Sequence, residues 1–250
     1  DLARETLAAV RQSLDDRRRS TSAAVDTTGI AITESAVARD DGTTVPVRIY
    51  RGGPAPAPTV IYCHAGAFVL GNLDTDHHQC VTLARGARCT VASVDYRLAP
   101  EHPYPAALLD AAAVLTWARA SAADIGVDPA RLAVAGSSAG AALAAGLAQR
   151  SAEGELPPIV GVLLHQPVLD DRPTASKAEF ATTPGFDGAA AQLMWRHYLG
   201  DTAPDAASVP ARNHRLIDTP TTFITCSELD PLRDEAVDYA RRLMRCGVRT

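Results

Sequence analysis

Gly136-Ser137-Ser138-Ala139-Gly140 carries the plainest chemistry in the sequence. A serine hydroxyl becomes a useful nucleophile only when a base takes its proton and when it stands clear of the backbone, facing a carbonyl carbon. A sharp strand-to-helix turn meets the second need, provided that small residues two places before and after let strand and helix approach. Glycine occupies both places around Ser138, whereas Ser137 is flanked by Ala135 and Ala139, so Ser138 is the candidate nucleophile. The helix opening behind it presents a partial positive charge to a developing oxyanion. The same pentapeptide also reads as a small-residue turn without chemistry.

His64-Ala65-Gly66-Ala67-Phe68 follows the apolar run Thr59-Val60-Ile61-Tyr62-Cys63. Such a loop can aim the backbone N–H groups of Gly66 and Ala67 at a substrate oxygen, with the N–H of Ala139 as a third donor. These three residues are the candidate oxyanion hole. His64 itself reads as a hydrogen-bonding residue that orients the loop rather than as the base. If Ala65 or Ala67 needs a left-handed backbone, alanine costs about 1–2 kcal/mol there.

The elements that must position these groups follow from periodicity. Residues 1–19 read as a helix with Leu2, Leu7, Val10 and Leu14 near one face. The run Arg17-Arg18-Arg19 reads as a solvated part of that helix. Residues 30–38 and 43–50 alternate apolar and polar around Asp40-Asp41-Gly42, a hairpin signal, and Pro46 suggests an edge strand. Apolar runs then recur at 59–63, 89–94, 131–135, 159–164 and 221–226, with helical stretches near 75–86, 105–123, 139–152 and 232–246. That alternation predicts an α/β fold, a mostly parallel sheet wrapped by helices. Residues 167–219 interrupt the rhythm with Pro173, Pro184, Pro204 and Pro210 and one helical piece around 189–199. An insertion of this length is usually functional, such as a lid.

The chain of 250 residues is 46% hydrophobic with net charge −5, which suits a globular enzyme-sized domain and argues against a nucleic-acid binder. Lys177 is the only lysine among 24 basic residues. Cys63, Cys80, Cys89, Cys226 and Cys246 are odd in number and show no C-x-x-C spacing, so buried thiols in a reducing, cytoplasmic setting are expected, with no metal site. No apolar run is long enough to span a membrane and no leader is visible.

Asp95-Tyr96-Arg97-Leu98-Ala99-Pro100-Glu101-His102-Pro103-Tyr104-Pro105 resembles the signature of the hormone-sensitive lipase family of α/β-hydrolases. The His64–Phe68 loop with Gly71-Asn72-Leu73-Asp74-Thr75, and Gly136–Gly140, match the same pattern in order and spacing, from about residue 45 to 248. The resemblance implies a single α/β-hydrolase domain, with a helical cap from about 1–25 and 170–218 and a core from about 30–169 and 219–250. It implies a serine carboxylesterase acting on short- to medium-chain acyl esters, with no cofactor, and it is compatible with a homodimer. Phe68, Phe186 and Trp195 are then candidates for the substrate pocket, and core packing explains them equally well.

Ser227-Glu228-Leu229-Asp230-Pro231-Leu232 resembles the family loop whose aspartate orients the catalytic histidine, and that role is carried to Asp230, with Glu228 as the weaker choice. The family's chain order of Ser, Asp, His implies a histidine after Asp230, yet no histidine follows His214 in these 250 residues. The resemblance therefore implies a histidine, a strand and a helix beyond Thr250. Among the histidines present, His165 is the best placed and His102 reads as a backbone hydrogen-bonder. Two other readings stay open at this point: a catalytically silent α/β-hydrolase that binds a small apolar ligand under its cap, and an amide or N-acetyl hydrolase.

Overall fold

The computed structural model describes residues 2–39 and 41–250. The expected helix start at Asp1 and the hairpin residue Asp40 lie outside the described residues. Seven strands form one sheet: β1 (Ala31–Ala38), β2 (Thr44–Arg51), β3 (Ala57–Cys63), β4 (Thr90–Val94), β5 (Val127–Ser137), β6 (Gly161–His165) and β7 (Thr222–Thr225). Their order is β1-β2-β4-β3-β5-β6-β7. The β1–β2 hairpin and the β2–β4 pair are antiparallel, and β4, β3, β5, β6 and β7 run parallel. This is the mostly parallel sheet expected from the alternation of apolar runs and helices, in the α/β-hydrolase arrangement that the resemblance implies.

The helices are α1 (Leu7–Ala23), α2 (His77–Ala87), α3 (Ala106–Ala120), α4 (Ala122–Ile125), α5 (Ala139–Ala152), α6 (Ala175–Glu179), α7 (Gly188–Leu199) and α8 (Arg233–Arg245), with a 3-10 turn at Pro210–Arg212. Side chains alternate across each strand, so each central strand feeds two cores. Tyr62, Val91 and Ala135 pack with Cys80, Val81 and Ala84 of α2 on one face. Ile61, Leu132 and Val134 pack with Leu115 of α3, Leu143 of α5 and Leu243 of α8 in the larger core on the other.

Two expectations need correction. Pro46 does not mark an edge, because β2 lies between β1 and β4. The proline sits just past the last β2–β4 pair, Val47 with Val94, where Asp95 N–H donates to its carbonyl at 3.0 Å and no return bond is needed. The first helix begins at Leu7 rather than at the first residue, and it runs on to Ala23. Cys63, Cys80 and Cys89 are buried, but Cys226 is exposed. No described helix is long and apolar enough to cross a membrane.

Helix α1 is tied to the carboxyl end of the sheet by one side chain. Arg11 donates to Val69 O at 2.7 Å and to Ala99 O at 2.8 Å, and it pairs with Glu101 at 2.8 Å. Asp110, nearly inaccessible in α3, holds the segment after β4 through Arg97 at 2.9 Å and the end of β1 through Arg39 at 2.7 Å. Burial alone would raise that carboxyl, but the two guanidiniums outweigh it and hold it below its ordinary value.

Candidate active site

Ser138 stands between the end of β5 and the start of α5 at φ 54°, ψ −117°. Backbone held in this sparsely populated region costs about 1–3 kcal/mol and persists only where the surroundings over-determine it. They do so here. Ser138 N–H donates to His165 O at 2.8 Å and Val168 N–H donates to Ser138 O at 3.1 Å. A Cβ on Gly136 would lie 2.3 Å from the Gly140 carbonyl carbon, and one on Gly140 would lie 2.1 Å from Cys63 O. Strand and helix therefore approach only because both flanking residues are glycine. Among the described residues, nothing hydrogen-bonds the Ser138 hydroxyl.

The loop after β3 is equally constrained. Gly66, Ala67 and Phe68 have φ of 143°, 53° and 60°. Ala67 thus occupies the left-handed region, while Ala65 does not. Gly66 O accepts from Val69 and Leu70 N–H at 3.0 and 2.8 Å, which curls the loop. The N–H groups of Gly66, Ala67 and Ala139 donate to no acceptor among the described residues.

The loop is held from behind. Ala65 N–H donates to Asp76 Oδ2 at 2.9 Å, and Tyr62 Oη donates to the same oxygen at 3.2 Å. Burial pushes the Asp76 carboxyl up, and these two donors work against that shift. The His64 ring is buried and stacked on Tyr96 with centroids 4.1 Å apart. Its Nδ1 lies 2.8 Å from Ala65 O. A carbonyl only accepts, so Nδ1 carries the proton and the buried Nε2 has no partner among the described residues. Burial lowers His64 to about 4, so it is neutral at ordinary pH.

Asp230 lies half-buried in the loop between β7 and α8, and its Oδ1 accepts Leu232 N–H at 2.8 Å. β5 and β7 run parallel, so this loop and Ser138 leave the same end of the sheet. Glu228 is exposed. Three other histidines are engaged: His165 Nδ1 with Thr225 Oγ1 at 2.7 Å, His77 with Tyr50 at 2.9 Å and His197 with Leu2 O at 2.8 Å. His102 is exposed, and its side chain makes no hydrogen bond to described residues, contrary to the backbone-bonding role expected of it.

Above Ser138 is a cavity of about 620 Å³, lined by Gly66 and Ala67, by Leu2 and Arg18 from the N-terminal segment, and by Phe186, Leu193 and Arg196. Of the aromatic pocket candidates, Phe186 lines this cavity. Phe68 is fully buried, stacked on Tyr198 at 3.9 Å and tilted against Trp195 at 5.7 Å, so Phe68 and Trp195 belong to the core. Two contributors escaped sequence reasoning. Asp76 reads as one more polar residue of the loop, and only the fold reveals it as the loop's anchor. Arg18 reads as solvated, yet it follows Leu7, Arg11 and Leu14 at helical spacing, a signal that places it on the inward face.

The chain matches the model of a family with the alpha/beta hydrolase fold over residues 60–250. It is 43% identical over 218 residues to the esterase LipI of Mycobacterium tuberculosis, covering 83% of this chain and 68% of that protein. It is 39% identical over 227 residues to the carboxylesterase NlhH of the same species, covering 88% and 71%. The crystal structure of esterase LipW from Mycobacterium marinum superposes with a TM-score of 0.97 at 59% identity, covering 99% of this chain and 79% of that one. Strained serine turn, curled glycine loop and these similarities agree, and the chain belongs to the hormone-sensitive-lipase-like esterase family of α/β-hydrolases.

Proposed function

We propose that the protein is a serine carboxylesterase acting on short- to medium-chain acyl esters. One observation carries the reading: the N–H groups of Gly66, Ala67 and Ala139 find no acceptor among the described residues, beside a serine held in a strained turn. Buried N–H groups are normally paired, and a preformed trio of donors at a nucleophile suits a developing oxyanion.

In this reading Ser138 Oγ attacks the ester carbonyl carbon as a histidine takes its proton. The family pattern assigns that base to sequence after residue 250, with Asp230 orienting it and stabilising its cation. Negative charge collects on the carbonyl oxygen, where the three N–H groups receive it. The alcohol leaves with the proton returned by the histidine, and water then hydrolyses the acyl-serine by the same steps in reverse. α1 and the segment around α6 and α7 act as the cap over the cavity. A homodimer along an edge strand accompanies this reading as an expectation, checked by gel filtration.

The test uses the full-length protein with p-nitrophenyl acetate and butyrate. Turnover that is abolished by Ser138→Ala, together with fluorophosphonate labelling of Ser138, supports the proposal. Wild type and Ser138→Ala hydrolysing both esters equally slowly would refute it.

A further inference from the structure

Two cations face the cavity above Ser138. Arg196 comes from the last turn of α7, and among the described residues no carboxylate pairs with it and no acceptor takes its guanidinium N–H groups. Arg18 comes from α1, with its side chain 18% exposed, and among the described residues it makes one ion pair, a long one of 3.4 Å to Asp15. The Arg18 charge reaches inward as well as outward. It opposes protonation of His64 and favours ionisation of Asp76, both behind the oxyanion loop.

Among the described lining residues one is a carboxylate, Asp187, and it is already committed. Its Oδ1 accepts Ala190 N–H at 2.8 Å as the N-cap of α7, and the helix dipole favours a negative charge there. Among the described residues the cavity wall thus carries two guanidiniums and one carboxylate alongside the apolar side chains of Leu2, Leu70, Phe186 and Leu193. An uncharged ester would bury its apolar atoms on these residues and leave Arg196 without a counter-charge.

We infer that the cavity selects esters bearing a carboxylate on one arm, such as half-esters of short dicarboxylic acids. Arg196 and Arg18 receive the carboxylate while the ester carbonyl meets Ser138. This rests on the esterase reading above. Guanidinium groups suit a carboxylate because their planar N–H donors match its two oxygens.

The full-length protein is compared on monoethyl glutarate and ethyl valerate, which share acyl length and differ by one charge, with turnover followed by pH-stat. The readout is the ratio of kcat/KM for the charged over the neutral ester. Arg18 is half-buried and Arg196 exposed, so Arg18→Gln is expected to lower that ratio about fivefold and Arg196→Gln about threefold, the range for losing an opposite charge at a solvent-accessible site. Arg196→Lys is expected to restore part of the ratio, and raising NaCl from about 0.05 to 0.5 M to erode it in wild type. Ratios within twofold of wild type in both glutamine variants overturn the inference and leave the esterase reading standing. If neither ester is turned over, the esterase reading falls, and calorimetry of monoethyl glutarate with Ser138→Ala decides the inference separately. Weaker binding in Ser138→Ala/Arg196→Gln supports it, and unchanged binding overturns it.

Discussion

Replacing Lys177 by methionine should uncouple the α6 segment from α8 in a way that pH reveals. Lys177 is 7% exposed and its Nζ lies 2.5 Å from Glu235 Oε2, whose carboxylate is inaccessible. Nζ also donates to Asp170 O and Arg172 O at 2.6 and 3.0 Å, while Glu235 Oε1 accepts Leu169 N–H at 2.6 Å. Burial pushes Glu235 up to about 7, with Lys177 and the backbone donors working against that rise. A carboxyl whose pKa is raised on folding binds more protons folded than unfolded, so its contribution is present below the unfolded value near 4.5 and is lost as pH rises through the folded value. In wild type the loss ends near pH 7, where the ion pair takes over. Without the lysine cation the folded carboxyl stays protonated to higher pH, and each further pH unit costs about 1.4 kcal/mol. Between pH 7 and 9 the variant should therefore lose up to about 3 kcal/mol more than wild type, of the order of the usual cost of breaking a buried pair. Urea midpoints measured from pH 6 to 9 test this, with Lys177→Met/Glu235→Gln expected to abolish the extra slope. Parallel pH profiles for wild type and Lys177→Met above pH 7 would refute the reasoning.

Three further outcomes follow from the same geometry. Gly140→Ala forces a Cβ to within 2.1 Å of Cys63 O, so it should destabilise by at least about 2 kcal/mol and remove most ester turnover, read by thermal melting and by initial rates. Ala67→Gly relieves a left-handed alanine at φ 53° and should raise stability by about 0.5–1 kcal/mol; a fall in melting temperature would show that the loop's strain lies elsewhere. Burial depresses His64 to about 4, below its unfolded value near 6.5, so stability present above pH 6.5 should fall by up to about 3 kcal/mol as pH drops toward 4. Denaturant midpoints of His64→Gln should lack that component.

The alternation of strands and helices was legible because compact apolar runs such as 59–63 and 131–135 suit strands covered on both faces, and most of their residues are buried, Arg131 at the start of the second run excepted. The serine turn was legible because its glycines answer a local steric demand. Asp76 was not, since its role depends on Ala65 and Tyr62 meeting it across the loop, a contact with no sequence period. Arg18 was misjudged because charge in an Arg-Arg-Arg run suggests solvent, whereas helical spacing turns only the middle residue inward. Phe68 and Trp195 show the complementary limit: an aromatic residue near a nucleophile serves packing or substrate equally well until neighbours such as Tyr198 are known.

The single lysine has a practical consequence. Its amine is shut against Glu235 between α6 and α8, so an amine-directed reagent finds this side chain only when α6 lifts away. Modification of Lys177 under native conditions therefore clocks the opening of the segment over the cavity. The rate at low reagent concentration reports the opening equilibrium, and the plateau at high concentration reports the opening step itself. Within residues 1–250 every other Lys or Arg position is arginine, so a tryptic map assigns any labelled lysine in this stretch to Lys177.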